Sequence, residues 1–497
     1  MPGLASSPND CWLIRRDVGV LTIDDLPDDD LLAIFDFYVV PYQDLNFFEV
    51  MFSDQDSETK IQSWHSLVHV CRRWRGLVFA SPRRLNLQLY YDPGRFARKT
   101  LDVWPALPLL VTGSLTLSSG TDDVIAALLQ SKHIFQINLH LTAGWQLENI
   151  LAAMQVSFPE LTQMQLILDD DTLSAQSAIT VPDSFLGGYA PSLQYFELDG
   201  IPFPGLPNLL SSANHLVFLC LSNIPHSGYI SPEAMIALLS VSSNLRTLFL
   251  EFRSPRSPPG SESPNQFPPK RSILPAFKKF HFKGVTEYLE ELVNGIDTPQ
   301  LHEMNITFFN QIDFDCGRLA QLITRTPTLR AIGEARVQFD NSTASIKLRF
   351  RTSRYSFEDL VINISCREPD WQLSSVEQVS ISLLHPLSAV EDLYIAARKS
   401  ELVWKNDAIE NALCLQLLLP FIAVKNLHLS KEFAPGIAAA LRGLVGGRIT
   451  EVLPSLQKIF VEGLGTSGPV PEDIGQFVAA RQLSALPVAI SVWYKTW

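Results

Sequence analysis

The residues predict an α/β protein in two parts: a small N-terminal helical module, then an irregular solenoid in which a curved parallel sheet carries helices on its outside. Three observations carry this expectation. A chain of 497 residues exceeds what one compact core usually serves, so several domains or an elongated array is the prior. A hydrophobic content of 46%, with 10% aromatics, is that of a globular chain and not a disordered one. Finally, an apolar triplet of fixed internal spacing recurs through most of the chain, and such self-similarity marks stacked units. The parts divide into a tail at 1–20, a helical module at 21–82 with an acidic insertion at 43–61, and the repeat body at 83–497 with a Pro/Ser-rich loop at 253–271.

The module opens at Leu26-Pro27-Asp28-Asp29-Asp30-Leu31-Leu32-Ala33-Ile34-Phe35. Pro27 suits a first helical turn, where its missing N–H is not needed, and the aspartates sit against the positive end of the helix dipole. Leu31, Ile34, Phe35 and Tyr38 recur at helical steps and form one apolar face, until Pro41 stops the pattern. A second periodic set, Leu67, Val70, Cys71, Trp74 and Leu77, predicts a second helix whose face closes on the first.

Leu26-Pro27, a short helix ending Ile34-Phe35, and then Leu67-x-x-Val70-Cys71-Arg72-x-Trp74-Arg75 together resemble the F-box, the helical module that plugs substrate receptors into cullin-type ubiquitin ligases. By that resemblance Leu26, Pro27, Leu31, Ile34, Phe35, Leu67, Val70, Cys71 and Trp74 fall at positions that contact a Skp-type adaptor or support the surface that does. The stretch 43–61 is a longer insertion than an F-box normally carries between these helices. Read without the resemblance, the two helices are an ordinary cap, with Cys71 small and buried as free cysteines usually are.

In the body the triplet is apolar-x-x-apolar-x-apolar. It runs Ile134/Ile137/Leu139, Leu161/Met164/Leu166, Leu193/Phe196/Leu198, Leu216/Leu219/Leu221, Leu245/Leu248/Leu250, Phe277/Phe280/Phe282 and Leu301/Met304/Ile306. Weaker and later copies are Leu329/Ile332, Phe357/Leu360/Ile362, Val376/Val379/Ile381, Val390/Leu393/Ile395, Val424/Leu427/Leu429 and Leu456/Ile459/Val461. Successive first positions from Ile134 to Phe357 lie 27, 32, 23, 29, 32, 24, 28 and 28 residues apart, which is leucine-rich-repeat length. The last two apolar positions of each copy share one face of a short strand. Helix-like segments lie between copies, as at 122–130, 146–154 and 231–239, the last with Ser231 as cap and Pro232 next. A doubly wound α/β domain also alternates strand and helix, but does not need the leading apolar residue. The body resembles the leucine-rich-repeat portion of F-box receptors, and the whole arrangement is similar to the expanded F-box families of mushroom-forming fungi. The usual ladder asparagines are missing, so the turns are expected to be held by other means.

The loop 253–271 is too rich in proline to pack as strand or helix and is expected to be exposed. Ser254, Ser257 and Ser263 each precede proline and would become anionic if phosphorylated, although a tolerated surface insertion explains the loop as well.

A net charge of −13 opposes general nucleic-acid binding, which needs a basic footprint. Charges between residues 24 and 58 are all acidic, whereas residues 72–99 hold eight basic groups against Asp92 alone; internal pairing within one module accounts for this. Cysteines at 11, 71, 220, 316, 366 and 414 have neither disulfide-framework nor zinc spacing. With no secretory leader and no 18-residue apolar run, no membrane is implied and a cytoplasmic or nuclear location is expected; the sequons at Asn305, Asn341 and Asn363 then read as chance matches.

No catalytic, cofactor-binding or metal-binding residues are assigned. Gly463-Leu464-Gly465-Thr466-Ser467-Gly468 follows a predicted strand, but Glu472 and Asp473 occupy the helix start that would have to receive a pyrophosphate. The phosphate-loop, nucleophile-elbow and zinc-protease motifs are missing from the sequence. A protein-binding surface is easier to place. The residue between the two inward positions of each strand would face the concave side, giving Asn138, Gln165, Glu197, Cys220, Phe249, His281, Asn305, Ser380, Tyr394, His428 and Phe460. Phe249, His281, Asn305, Tyr394, His428 and Phe460 are the leading candidates to hold a target, since aromatic anchors in a polar surround suit a protein partner. The expectation is a non-enzymatic adaptor without cofactor, bridging a Skp-type protein and a target of unknown identity; the alternative is a repeat scaffold without a ligase link.

Overall fold

The structure, a computed structural model, describes residues 23–38, 64–81, 84–85, 87, 89–91, 107–115, 120–169, 179–255, 271–350, 359–397, 408–444, 448–463 and 469–493. The tail 1–20, the acidic insertion 43–61 and most of the loop 253–271, including Ser257 and Ser263, lie outside the described residues, as do residues 464–468 of the glycine segment. Two compact units emerge: residues 1–90 with 102–109, and residues 91–101 with 110–497.

In the first unit, α1 (Asp28–Tyr38), α2 (Trp64–Val70) and α3 (Arg72–Ala80) pack together. Helix α1 starts immediately after Pro27, with Asp28, Asp29 and Asp30 in its first turn, where the dipole favours them. The single helix expected across 67–77 is two helices. Cys71 has extended backbone, φ −155° and ψ 172°, and its Sγ accepts the Trp74 N–H at 3.4 Å. The cysteine is therefore a half-exposed helix cap and not a buried filler.

The second unit is a mixed α/β array around one large, mostly parallel sheet. Its strands are β1 (Leu109–Leu115), β2 (Ile134–Leu141), β3 (Gln163–Leu168), β4 (Tyr195–Asp199), β5 (Phe218–Ile224), β6 (Thr247–Phe252), β7 (Lys279–Gly284), β8 (Glu303–Phe308), β9 (Ile332–Phe339), β10 (Thr343–Phe350), β11 (Asp359–Ser365), β12 (Asp392–Ala397), β13 (Asn426–Leu429), β14 (Lys458–Glu462) and β15 (Ala489–Trp493). They lie in sequence order up to β8, continue β11-β10-β9, and resume β12 to β15. Between strands run α4 (Thr121–Leu128), α5 (Gly144–Ala153), α6 (Leu206–Leu210), α7 (Pro232–Val241), α8 (Thr286–Asn294), α9 (Gly317–Arg325), α10 (Pro369–Ser382), α11 (Leu384–Leu387), α12 (Ala408–Leu418), α13 (Ala434–Arg442) and α14 (Pro469–Leu483). Among the described residues no helix is long and apolar enough to cross a membrane.

Where a described triplet forms a strand, it does the work its spacing implies. The leading residues Leu193, Leu216, Leu245, Phe277, Leu301, Val390 and Val424 are 0% exposed, and burying such a side chain stabilises by about 1.5–3 kcal/mol. The main chain just beyond each leading residue binds the preceding repeat. Gln194 N–H donates to the Thr162 carbonyl at 2.8 Å, Val217 to Gln194 at 2.8 Å, Arg246 to Val217 at 2.8 Å, Lys278 to Arg246 at 2.8 Å and His302 to Lys278 at 3.0 Å. This backbone spine resumes as Lys425 to Glu391 and Gln457 to Lys425, both at 2.8 Å. It satisfies groups that a side-chain asparagine ladder would otherwise serve.

Two expectations are corrected here. The sheet is not wholly parallel, because β10 runs antiparallel to both β9 and β11. The alternation of Ala335, Val337 and Phe339 with Ala344, Ile346 and Leu348 around Asp340-Asn341 is a hairpin pattern. Secondly, the triplet Val376/Val379/Ile381 is not a strand. It lies in α10, where Val376 and Val379 are buried one helical step apart and Ile381 is exposed, so its first two positions fit helical periodicity equally well.

Candidate functional site

The helical unit sorts its apolar side chains onto two faces. Leu31, Leu32 and Phe35 of α1 are buried, as are Trp64, Leu67 and Val68 of α2 and Val78 of α3. The Phe35 and Trp74 rings lie 4.7 Å apart, and Trp64 meets Phe79 edge to face at 6.1 Å. Arg73 ties the start of α1 to α3: its Nη2 donates to the Leu26 carbonyl and to Asp28 Oδ1, both at 2.6 Å. Arg84 pairs with Asp29 at 3.1 Å, and Arg75 Nε donates to the Val68 carbonyl at 2.9 Å. Acidic and basic segments thus meet inside one unit.

The residues assigned by resemblance to an adaptor surface divide accordingly. Leu31, Phe35 and Leu67 are buried supports, Leu26, Cys71 and Trp74 are half-buried, and Pro27, Ile34 and Val70 are exposed. Tyr38, expected on the inner face, is exposed, and Phe37, which the periodic reading passed over, is 94% exposed. Phe37 falls off the helical period of the inner face, and that offset was the signal available for it.

In the repeat unit the expected concave residues form one row across the sheet, on the face away from the core. Cα register runs Asn138, Gln165, Glu197, Cys220, Phe249, His281, Asn305, each opposite the next. It crosses the meander through Val361, Lys347 and Arg336, and continues Tyr394, His428, Phe460 and Ser491. Ser380 does not belong to this row: it is 0% exposed in α10. Lys347, Val361 and Arg336 were missed because the meander was.

Rings stack where the row is aromatic. Phe249 stacks on His281 with centroids 4.1 Å apart, Tyr394 on His428 at 4.1 Å, and His428 on Phe460 at 4.4 Å. Tyr195 and Phe218, one register step away, stack at 4.3 Å, and Trp493 closes edge-on against His428 at 5.5 Å. These distances approximate the spacing of neighbouring strands, about 4.8 Å, so parallel register alone aligns the rings. The Arg336 guanidinium lies 4.9 Å from the Tyr394 ring centre, within cation–π range.

Charge on this face is held by neighbours. Glu303 pairs with Lys279 at 2.7 Å and His281 at 3.4 Å, and His281 foremost, then Lys279, hold its carboxyl down at about 2 against the opposing effect of burial. Glu334 receives Arg336 and Arg349. Glu197 is pushed up by burial although the Tyr195 hydroxyl donates to it. Burial pushes the Cys220 thiol well above its usual range, leaving a poor nucleophile. Burial lowers His428 to about 4, with Asp392 and Glu334 pulling the other way, so its ring is neutral near neutrality.

Among the described residues no group of three His, Cys, Asp or Glu side chains is placed to hold a metal ion. An apolar cavity between Leu198, Phe203, Leu221 and Ile230 has a volume of about 10 Å³, enough for roughly one water and no ligand.

No protein-family model matches the chain, and no curated protein matches it. Among solved structures the chain is similar to the leucine-rich repeat-containing protein LegL7 from Legionella pneumophila, at 13% identity, covering 78% of this chain and 97% of that one, with a TM-score of 0.25.

Proposed function

We propose that the chain is a non-catalytic adaptor of a cullin-type ubiquitin ligase, in which the helical unit docks on a Skp-type protein and the leucine-rich-repeat-like body holds a protein target. The observation that supports docking is the sidedness of the helices: Leu31, Phe35 and Leu67 are buried, while Ile34, Phe37 and Val70 are 46%, 94% and 58% exposed. Exposed apolar residues beside a fixed, ion-paired helix start are what a helical partner buries. Co-purification of the full chain with a Skp-type adaptor tests it. Capture that is lost on Ile34→Asp with Phe37→Asp supports the reading; no capture by the unaltered chain overturns it.

A second reading has its own support. The register-aligned ring row lies entirely in the repeat unit, so a protein-binding scaffold without a ligase link would use the same face. Proximity labelling in the native cell separates the two: targets without adaptor or cullin subunits favour the scaffold.

A further inference from the structure

The face of the sheet away from the core is divided by charge. Strands β3 to β6 carry no Lys or Arg, and Glu197, Asp199 and Glu251 occupy that face. From β7 to the meander the sign reverses. Lys279 and Lys283 stand on β7, Lys347 and Arg349 on β10, and Arg336 on β9. Against these five cations the strands from β7 to β12 set Glu303, Glu334 and Asp392 on the same face, which leaves cations in excess among the described side chains. The whole chain carries −13, so this basic island is not a reflection of composition. Lys347 and Arg336 are adjacent in the central row. Stacked rings bound the island on both sides, Phe249 on His281 before it and Tyr394 on His428 and Phe460 beyond it.

We infer that strands β7 to β12 form the target-binding site and that it takes an acidic peptide segment flanked by apolar or aromatic residues. The inference rests on the reading of the body as a protein-binding surface and names the class of segment bound. Charge complementarity selects the occupant, since excess cations steer a negative chain and suppress a positive one. The rings supply flat apolar area at either end, of the kind that anchors interfaces. Six strands at about 4.8 Å spacing span about 24 Å, which is roughly seven residues of extended chain. A nucleic acid would also meet the cations, but the acidic strands β4 to β6 lie immediately beside them and would repel a continuing phosphate backbone.

The test uses the full chain and a fluorescein-labelled random copolymer of glutamate and tyrosine, read by anisotropy. Saturable binding that weakens about tenfold in Lys347→Glu with Arg349→Glu supports the site, because reversing charge across an interface costs on that order. The exposed Lys132→Glu, outside the face, is expected to leave binding unchanged. Should the double reversal fail to fold, Lys347→Gln with Arg349→Gln gives a milder version of the same loss. Equal affinity of the folded variants and the unaltered chain overturns the inference, as does a single-stranded oligonucleotide or polylysine binding more tightly than the copolymer. Capture of the Skp-type adaptor by the same preparations is scored separately. Retained capture with lost copolymer binding supports this site, and lost capture with retained copolymer binding overturns only the adaptor reading.

Discussion

The rings of Phe35 and Trp74 meet at 4.7 Å with an interplanar angle of 57°, and Phe35 is 0% exposed. This contact joins the first helix to the third and decides which side of α1 is structural. Phe35→Ala is expected to cost about 3–5 kcal/mol, as deleting a buried aromatic does. Phe37→Ala, two positions along, is expected to stay within about 0.5 kcal/mol. Amide exchange over 28–38 and 64–80 reads both; equal loss of protection in the two variants would show that the sidedness of α1 is wrong.

Arg481 is 1% exposed in α14 and ties down the segment that leads into β14. Its Nη2 donates to the Pro454 carbonyl at 3.1 Å and the Leu456 carbonyl at 3.2 Å, and Nη1 to Ile449 at 3.4 Å. Arg481→Leu would leave these carbonyls without their donor, so a loss of at least about 2 kcal/mol is expected. Chemical denaturation with tryptophan fluorescence measures it. Unchanged stability would mean that the carbonyls are satisfied without the guanidinium.

Glu290 of α8 reaches into the next repeat and accepts the N–H groups of Arg318 at 2.6 Å and Leu319 at 2.9 Å. Those are orphan donors of α9, whose cap Cys316 makes no side-chain hydrogen bond. Glu290→Ala should therefore cost about 1 kcal/mol, the usual worth of a cap, with Glu290→Gln closer to the unaltered chain. Thermal midpoints of the two variants rank them, and identical midpoints would remove the cap role.

Two groups on the ring-bearing face predict separate pH windows. Glu303 falls from 4.5 to about 2 on folding, so its contribution is present above 4.5 and is lost as pH falls from there to about 2. His428 falls from 6.5 to about 4; the unfolded chain binds its proton more readily, so stability is full above 6.5 and declines as pH falls through 4. His428→Phe keeps a ring in the stack and should flatten the stability profile between those two values. Glu303→Gln should leave that interval alone and flatten the more acidic one. Denaturation midpoints over pH 2–7 report both, and an unaltered profile in either variant refutes its assignment.

Much of the array could be read from residue spacing, because a leading apolar residue and two more on one strand face impose the same burial in every repeat. The row across the sheet followed from strand alternation alone, which is why Phe249 falls opposite His281, and Tyr394, His428 and Phe460 fall opposite one another in register. Period-three and period-two spacings coexist in Val376, Val379 and Ile381, and burial by tertiary packing, invisible along the chain, chose the helix. The meander was hidden for another reason: Leu329 and Ile332 imitated a worn copy of the triplet while the hairpin alternation beside them carried the real signal. In the helical unit, periodicity identified the partners Phe35 and Trp74. It did not reveal that a cysteine would halt one helix and start the next.

The reversed strand β10 divides the parallel register into two blocks, β1 to β8 and β12 to β15, joined through a locally paired three-strand insert. Cooperativity in a stacked array passes from neighbour to neighbour, so an insert closed largely by its own hairpin bonds is a natural firebreak. Fraying that begins at β15 can consume the last block and halt there, and the two blocks are free to lose or gain a repeat without shifting each other's alignment.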